Sequence, residues 1–153
     1  MRNRSKVTSL SVSGCRNITS LQPLASQIWS LKANVSNCGI GDAGLAAATR
    51  IVELDAGGNA KITTCAPFAC SLRILRAWGG CGIGDAGLAA ATGIVELNAD
   101  DNAKITTCGP FACSLRILHA GGDCGIGDAG LAAATGIVVL PRSRLRSHWL
   151  DLS

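Results

Sequence analysis

The strongest constraint in this sequence is a period. The eleven residues GIGDAGLAAAT occupy positions 39–49 and return unchanged at 82–92 and 125–135. Cysteines keep the same step: Cys38, Cys81 and Cys124 stand 43 residues apart, as do Cys65 and Cys108, and Cys70 and Cys113. Residues 38–54 and 81–97 differ only at Arg50 against Gly93, and 124–140 departs from the second copy only in Val139 for Glu96. Near-identity of this kind implies duplication of one structural unit.

Each unit divides again. An apolar pattern of the form I/L/V-x-x-L begins at Val7, Ile28, Ile51, Leu72, Ile94, Leu115 and Ile137, in steps of 21, 23, 21, 22, 21 and 22. Runs such as IWSLKA, IVELDA, LRILRA and IVELNA read as short strands that end in Gly, Asn or Asp turns. Single units of this length cannot bury an apolar face alone, so neighbours must stack around a continuous core. In each strand the Ile/Leu, Leu and Ala positions point inward, with Ile62 or Ile83 and then Phe68 or Leu88 closing the coil. The GLAAAT runs are helix-permissive over about one or two turns. Pro67 and Pro110 predict only a turn or 3₁₀ segment in the alternate units.

On these residues the chain resembles the leucine-rich repeat family. The even-numbered units resemble its cysteine-containing subclass through Leu75, Ala77, Ile83, Asp85, Gly87 and Leu88, and through Leu118, Ala120, Ile126, Asp128, Gly130 and Leu131. Odd units match the shorter pattern through Leu54, Asn59 and Ile62, and through Leu97, Asn102 and Ile105. The resemblance implies an α/β leucine-rich-repeat solenoid, with a curved parallel sheet on the concave side and short helices and turns on the convex side. It spans 7–140 as six repeats plus a terminal strand, between a basic arm at 1–6 and a basic tail at 141–153. The third strand leucine of the family is alanine at Ala33, Ala56, Ala77, Ala99 and Ala120, which forfeits about 2 kcal/mol of burial per position unless repeats pack closer. Cys81 and Cys124 fall one residue after the family's Asn/Cys position, whereas Cys15, Asn59 and Asn102 sit on it.

Composition narrows the function classes. No apolar run approaches the ~20 residues of a membrane span, and the opening MRNRSKVTSLSVSGC lacks the apolar stretch of a secretory signal, so a cytoplasmic location without membrane contact is expected. Of 14 Lys and Arg residues, six lie in the two ends, leaving eight bases against nine acids in 7–140. The body is near neutral and aromatic residues make up 3%, which argues against a nucleic-acid partner. The sequons at Asn17 and Asn34 read as chance occurrences without export, with Ile18 aligned to core Ile62.

Three chemical readings fail on spacing. Gly82, Gly84 and Gly87 fit a GxGxxG dinucleotide fingerprint with Glu96 downstream. Yet the step from Gly87 to Ile94 is only seven residues, and a crossover with its helix needs at least ~10 to 12. No cofactor is expected, and the glycines read as sites of positive φ. The pairs Cys65/Cys70 and Cys108/Cys113 would lie two strands apart, roughly 10 Å, too far for one zinc. Thiols acting as small apolar groups are favoured over a disulfide within each pair. Of two histidines, His119 falls on a strand and His148 in the tail, neither with a nucleophile at fixed spacing, so no enzyme is expected.

What remains is the sheet face. Alternation directs three columns of side chains outward. The first holds Thr8, Trp29, Val52, Arg73, Val95 and Arg116. The second holds Ser9, Ser30, Glu53, Ile74, Glu96 and Ile117, and the third Ser11, Lys32, Asp55, Arg76, Asn98 and His119. Asp55 is expected between Lys32 and Arg76 as a ladder of opposite charge. The expected function is non-catalytic recognition of a protein partner by this face. The family resemblance adds scaffolding or substrate recognition in a ubiquitin-ligase-type assembly, though six residues before the first strand leave no room for an adaptor-binding domain. The alternative is a truncated structural array with no dedicated partner. Leu145, Trp149 and Leu152 suggest a capping helix, without which the open edge would drive end-to-end self-association.

Overall fold

A computed structural model describes residues 8–139. The basic arm, the tail and its expected capping helix lie outside the described residues. Seven strands form one parallel sheet in chain order: β1 (Ser9–Ser11), β2 (Ser30–Lys32), β3 (Glu53–Asp55), β4 (Ile74–Arg76), β5 (Glu96–Asn98), β6 (Ile117–His119) and β7 (Val138–Val139). Leu10, Leu31, Leu54, Leu75, Leu97 and Leu118 are direct partners across successive strands. Parallel neighbours require a connection that returns the chain to its starting edge. Here the return alternates between a single helical turn, in α1 (Asp42–Leu45), α2 (Asp85–Leu88) and α3 (Asp128–Leu131), and a 3₁₀ turn at Gln22–Leu24, Ala66–Phe68 and Gly109–Phe111. The fold is an α/β solenoid whose rungs repeat in pairs.

The 3₁₀ turns fall where the prolines predict them. Pro23, Pro67 and Pro110 occupy their first two positions, where a fixed φ helps and a missing N–H costs nothing. The helices begin two residues before the alanine-rich GLAAAT segments and end at their leucines. Each begins at an aspartate, and in α1 and α2 that aspartate binds the following rung: Asp42 accepts from the Thr63 amide at 2.8 Å and from the Thr63 hydroxyl at 2.6 Å. Asp85 does the same for Thr106. Alanine propensity is outweighed by this anchor, and the chain turns directly after Leu45 or Leu88.

The interior lies between the sheet and these turns. Ile28, Leu31 and Ala33 of one strand are completely buried, as are Ile51, Leu54 and Ala56, then Leu72, Leu75 and Ala77, then Ile94, Leu97 and Ala99. Ile40, Ile62, Ile83 and Ile105 close the sides, and Leu45, Phe68, Leu88 and Phe111 the far wall. Each large side chain removed from water stabilises the stack by about 1.5–3 kcal/mol. The ends are less well covered. Ile18, expected to match buried Ile62, is 39% exposed, because among the described residues its rung has a neighbour on one side only. Ile126, Leu131 and Ile137 are likewise only partly buried.

The buried asparagines are paired, whereas the buried Nδ1 of His119 has no hydrogen-bond partner among the described residues. Asn59 is fully buried; its amide donates to the Ala33 carbonyl of the preceding rung at 2.8 Å and to the Ile40 carbonyl at 3.1 Å, and its oxygen accepts from the Lys61 amide. Asn102 repeats this with Ala77, Ile83 and Lys104. Cys15 occupies the same repeat position in the first rung and is exposed.

The repeated glycines hold the rungs together in a different way from that expected. Among the described glycines, positive φ occurs at Gly14, Gly58, Gly79 and Gly122, and at none of the fingerprint glycines. Instead, Gly82 donates its amide to the Asn59 carbonyl at 3.1 Å, and a Cβ on it would lie 2.6 Å from the Ile62 carbonyl oxygen and nearer still to that of Ala60. Gly39 and Gly125 make the equivalent bonds to Cys15 and Asn102. On Gly44, Gly87 and Gly130 a Cβ would collide with the carbonyl of Thr19, Thr63 or Thr106. Two backbones meet here with no room for a side chain. Gly82→Ala is therefore expected to cost about 1–3 kcal/mol in urea denaturation. Gly80→Ala, at a position with open space around it, should stay within about 0.5 kcal/mol of the parent.

Candidate functional site: the outward face of the sheet

Strand register places two of the three outward columns as the alternation implies: Ser30, Glu53, Ile74, Glu96 and Ile117 are successive partners, as are Lys32, Asp55, Arg76, Asn98 and His119. Trp29 and Ile117 are exposed at 47% and 37%. Lys32, Arg73 and Arg116 are also exposed, while Glu53, Asp55, Ile74, Arg76, Glu96 and Asn98 are half-buried. His119 does not belong to the accessible set, being 6% exposed. Alternation fixes the direction of its Cα–Cβ bond but not how far adjoining rungs cover the ring.

The charges pair along a diagonal. Asp55 stands beside Lys32 and Arg76 in register, but its carboxylate accepts from the Asn34 side chain at 2.9 Å and from the Gly57 amide at 3.1 Å. Arg76 reaches the neighbouring column, 2.6 Å from Glu53 and 3.8 Å from Glu96. One guanidinium thus spans the two carboxylates that flank Ile74. The expected Lys32–Asp55–Arg76 ladder fails because a short aspartate at a strand end satisfies its oxygens locally, whereas arginine and glutamate are long enough to meet across columns. The hydrogen bond from Arg76 holds the Glu53 carboxyl below its ordinary value, with Arg76 charge, a 3.3 Å bond from the Ser30 hydroxyl and Lys32 charge acting in the same direction against partial burial. A carboxyl lowered on folding adds stability above its unfolded titration range, and that contribution disappears as pH falls through the folded value.

A second feature lies where the strands begin. Trp29, Arg50, Thr8, Thr49, Val52 and Ser26 line a depression of about 730 Å³. Trp29 is a sequence-derived candidate, whereas Arg50 is not. The available signal was its status as the one difference between residues 38–54 and 81–97.

The eight cysteines are all unpaired. In each Cys-x4-Cys motif the two thiols diverge: Cys65 and Cys108 are buried, and Cys70 and Cys113 exposed. Burial pushes the Cys65 thiol up to about 12 and Cys108 to about 11, with smaller upward effects from nearby Cys81 and Asp42, and Cys124 and Asp85. Burial also raises Cys81 and Cys124. No group of three or more His, Cys, Asp or Glu among the described residues is placed to hold a metal ion, and no helix among them is long and apolar enough to cross a membrane. The carbonyls of Ala60, Ile62 and Thr63 fill the space beside Gly82 and Gly87, where a dinucleotide loop would receive phosphate. No protein-family model matches the chain, and no curated protein is significantly similar to it.

Burial predicts which thiols react. At pH 8 iodoacetamide should modify exposed Cys15, Cys70 and Cys113 within minutes, half-buried Cys124 more slowly, and buried Cys38, Cys65, Cys81 and Cys108 only on unfolding, as read by peptide mass spectrometry. Buried thiols whose values are raised on folding keep protons that the unfolded chain loses. The urea midpoint should therefore fall as pH rises above the ordinary thiol value of 9.0. A flat midpoint up to pH 10.5 would show that these thiols are accessible in the folded protein.

Proposed function

We propose that the chain is a leucine-rich repeat module that recognises a protein partner through the outward face of its sheet and carries no chemistry of its own. The observation that carries this reading is the in-register row of Glu53, Ile74, Glu96 and Ile117, with Arg76 bridging the two carboxylates. Apolar and charged groups alternate there at strand spacing, on a rigid support whose core lies behind them. A guanidinium already oriented by two carboxylates loses little freedom on meeting a partner, and exposed Trp29 and Ile117 supply apolar area. The family assignment draws on the strand leucines and on Asn59 and Asn102, whose amides bond the neighbouring rung. Eight unpaired thiols fit a reducing compartment such as the cytoplasm.

The alternative, an array with no dedicated partner, draws on the near-identity of the copies. Affinity capture with the intact protein and an Arg73→Glu/Arg76→Glu variant separates the two. Recognition through the face predicts a specific partner whose recovery drops at least tenfold with the variant. The variant loses more stability than the loss of one exposed ion pair, because glutamate at position 76 stands beside Glu53, Asp55 and Glu96, so urea unfolding establishes that it is folded before capture. An identical captured set for both proteins would remove the face from contention.

A further inference from the structure

We propose that the depression beneath Trp29 and Arg50 binds an acidic residue of a partner peptide together with an apolar neighbour, the carboxylate on Arg50 and the apolar side chain on the indole. The proposal deepens the protein-recognition reading and rests on it.

Comparison of the copies within the chain carries the argument. In later rungs the position of Trp29 is held by Arg73 or Arg116. Each guanidinium turns back on its own backbone: Arg73 donates to the Cys70 and Leu72 carbonyls at 3.2 and 2.8 Å, Arg116 to those of Cys113 and Leu115 at 3.1 and 2.9 Å. Gly93, in the rung that follows Arg73, leaves the space this guanidinium needs, since a Cβ there would collide with Arg73 Nη1. Arginine and glycine together close the strand-entry edge.

In the first copy both members change. Tryptophan replaces the arginine, and Arg50 replaces the glycine. Trp29 cannot bond the carbonyls as arginine does, having one N–H donor. Arg50 reaches across from the next rung instead and donates to the Ser26 carbonyl, the counterpart of Cys70, at 3.3 Å. Among the described residues this is a single long bond for a side chain with five N–H donors. The exchange converts a closed edge into a depression of about 730 Å³, within the size range of binding pockets.

The chemistry of the walls selects the occupant. Among the described residues that line it, Arg50 is the only charged side chain, and the hydroxyls of Thr8, Thr49 and Ser26 can donate hydrogen bonds. An exposed indole beside a partly engaged guanidinium is the pairing of residue types that dominates protein recognition energetics. Charge complementarity calls for a carboxylate, the indole for an apolar contact, and continuity with the sheet face for a peptide segment of a protein partner.

The copies also supply the control. Trp29→Arg/Arg50→Gly writes the later rungs' solution into the first, so the double variant should fold with an unchanged urea midpoint. A displayed library of random decapeptides is selected on wild-type protein, and the recovered peptides are measured against both proteins. The proposal predicts sequences rich in Asp or Glu beside a large apolar residue, bound at least tenfold more weakly by the double variant. Equal binding by the two proteins, recovered peptides without acidic excess, or no enrichment over the unselected library would each overturn it. Peptides whose binding needs Arg76, as shown by Arg76→Glu, but ignores Trp29 and Arg50 would overturn the pocket while leaving recognition by the face standing.

Discussion

A backbone-to-backbone contact sets the geometry of this molecule. Gly82 donates to the Asn59 carbonyl with the Ile62 and Ala60 carbonyls pressed against its Cα, and the same contact recurs at Gly39 and Gly125. Any side chain there would push successive rungs apart. With the rungs held close, short three-residue strands can pair in register from β1 to β6, and leucines from neighbouring strands bury one another completely. The polar links follow from the same closeness: Asp42 to Thr63, Lys61 to the Cys38 carbonyl, Ser71 to the Ile51 carbonyl, each between adjacent rungs. The part-buried Cys38 and Ile51 carbonyls are satisfied in this way, and stability then accumulates from one rung interface to the next.

The sequence made the repeat, the strand positions and the inward set legible because all three depend on spacing alone. Leu31, Leu54, Leu75 and Leu97 recur at the steps of a stacked coil, and all four are completely buried. The glycine role was not legible. A loop needing positive φ and a backbone needing close approach both favour glycine, and only coordinates distinguish an open turn from a carbonyl lying against the Cα. Helix placement failed for a related reason: Asp42 and Asp85 act on the next rung, a contact that local propensity does not contain.

The face was legible in part. Register fixed which residues share a column, and Trp29, Arg73, Ile74 and Arg76 lie on it as periodicity implies. Side-chain length decided the rest. Arg76 passes over Asp55 to reach Glu53, and Asp55 turns to Asn34 and Gly57, because reach and local backbone donors outrank position in the ladder. His119 shows the opposite limit, a residue in the right column that is covered. The pocket at Trp29 and Arg50 is where the repeat departs from itself, and a chain built of copies shows its specialised positions as differences between them.

The central claim is that the rungs form an array with a shared dry interior, so that one full period can be removed without losing the fold. Deletion of residues 82–124 removes 43 residues and joins Cys81 to Gly125, leaving the junction sequence unchanged. Urea unfolding of this variant should remain a single cooperative transition, with the m-value reduced by roughly a third as less surface is exposed. A shortened chain with no cooperative transition would contradict the account.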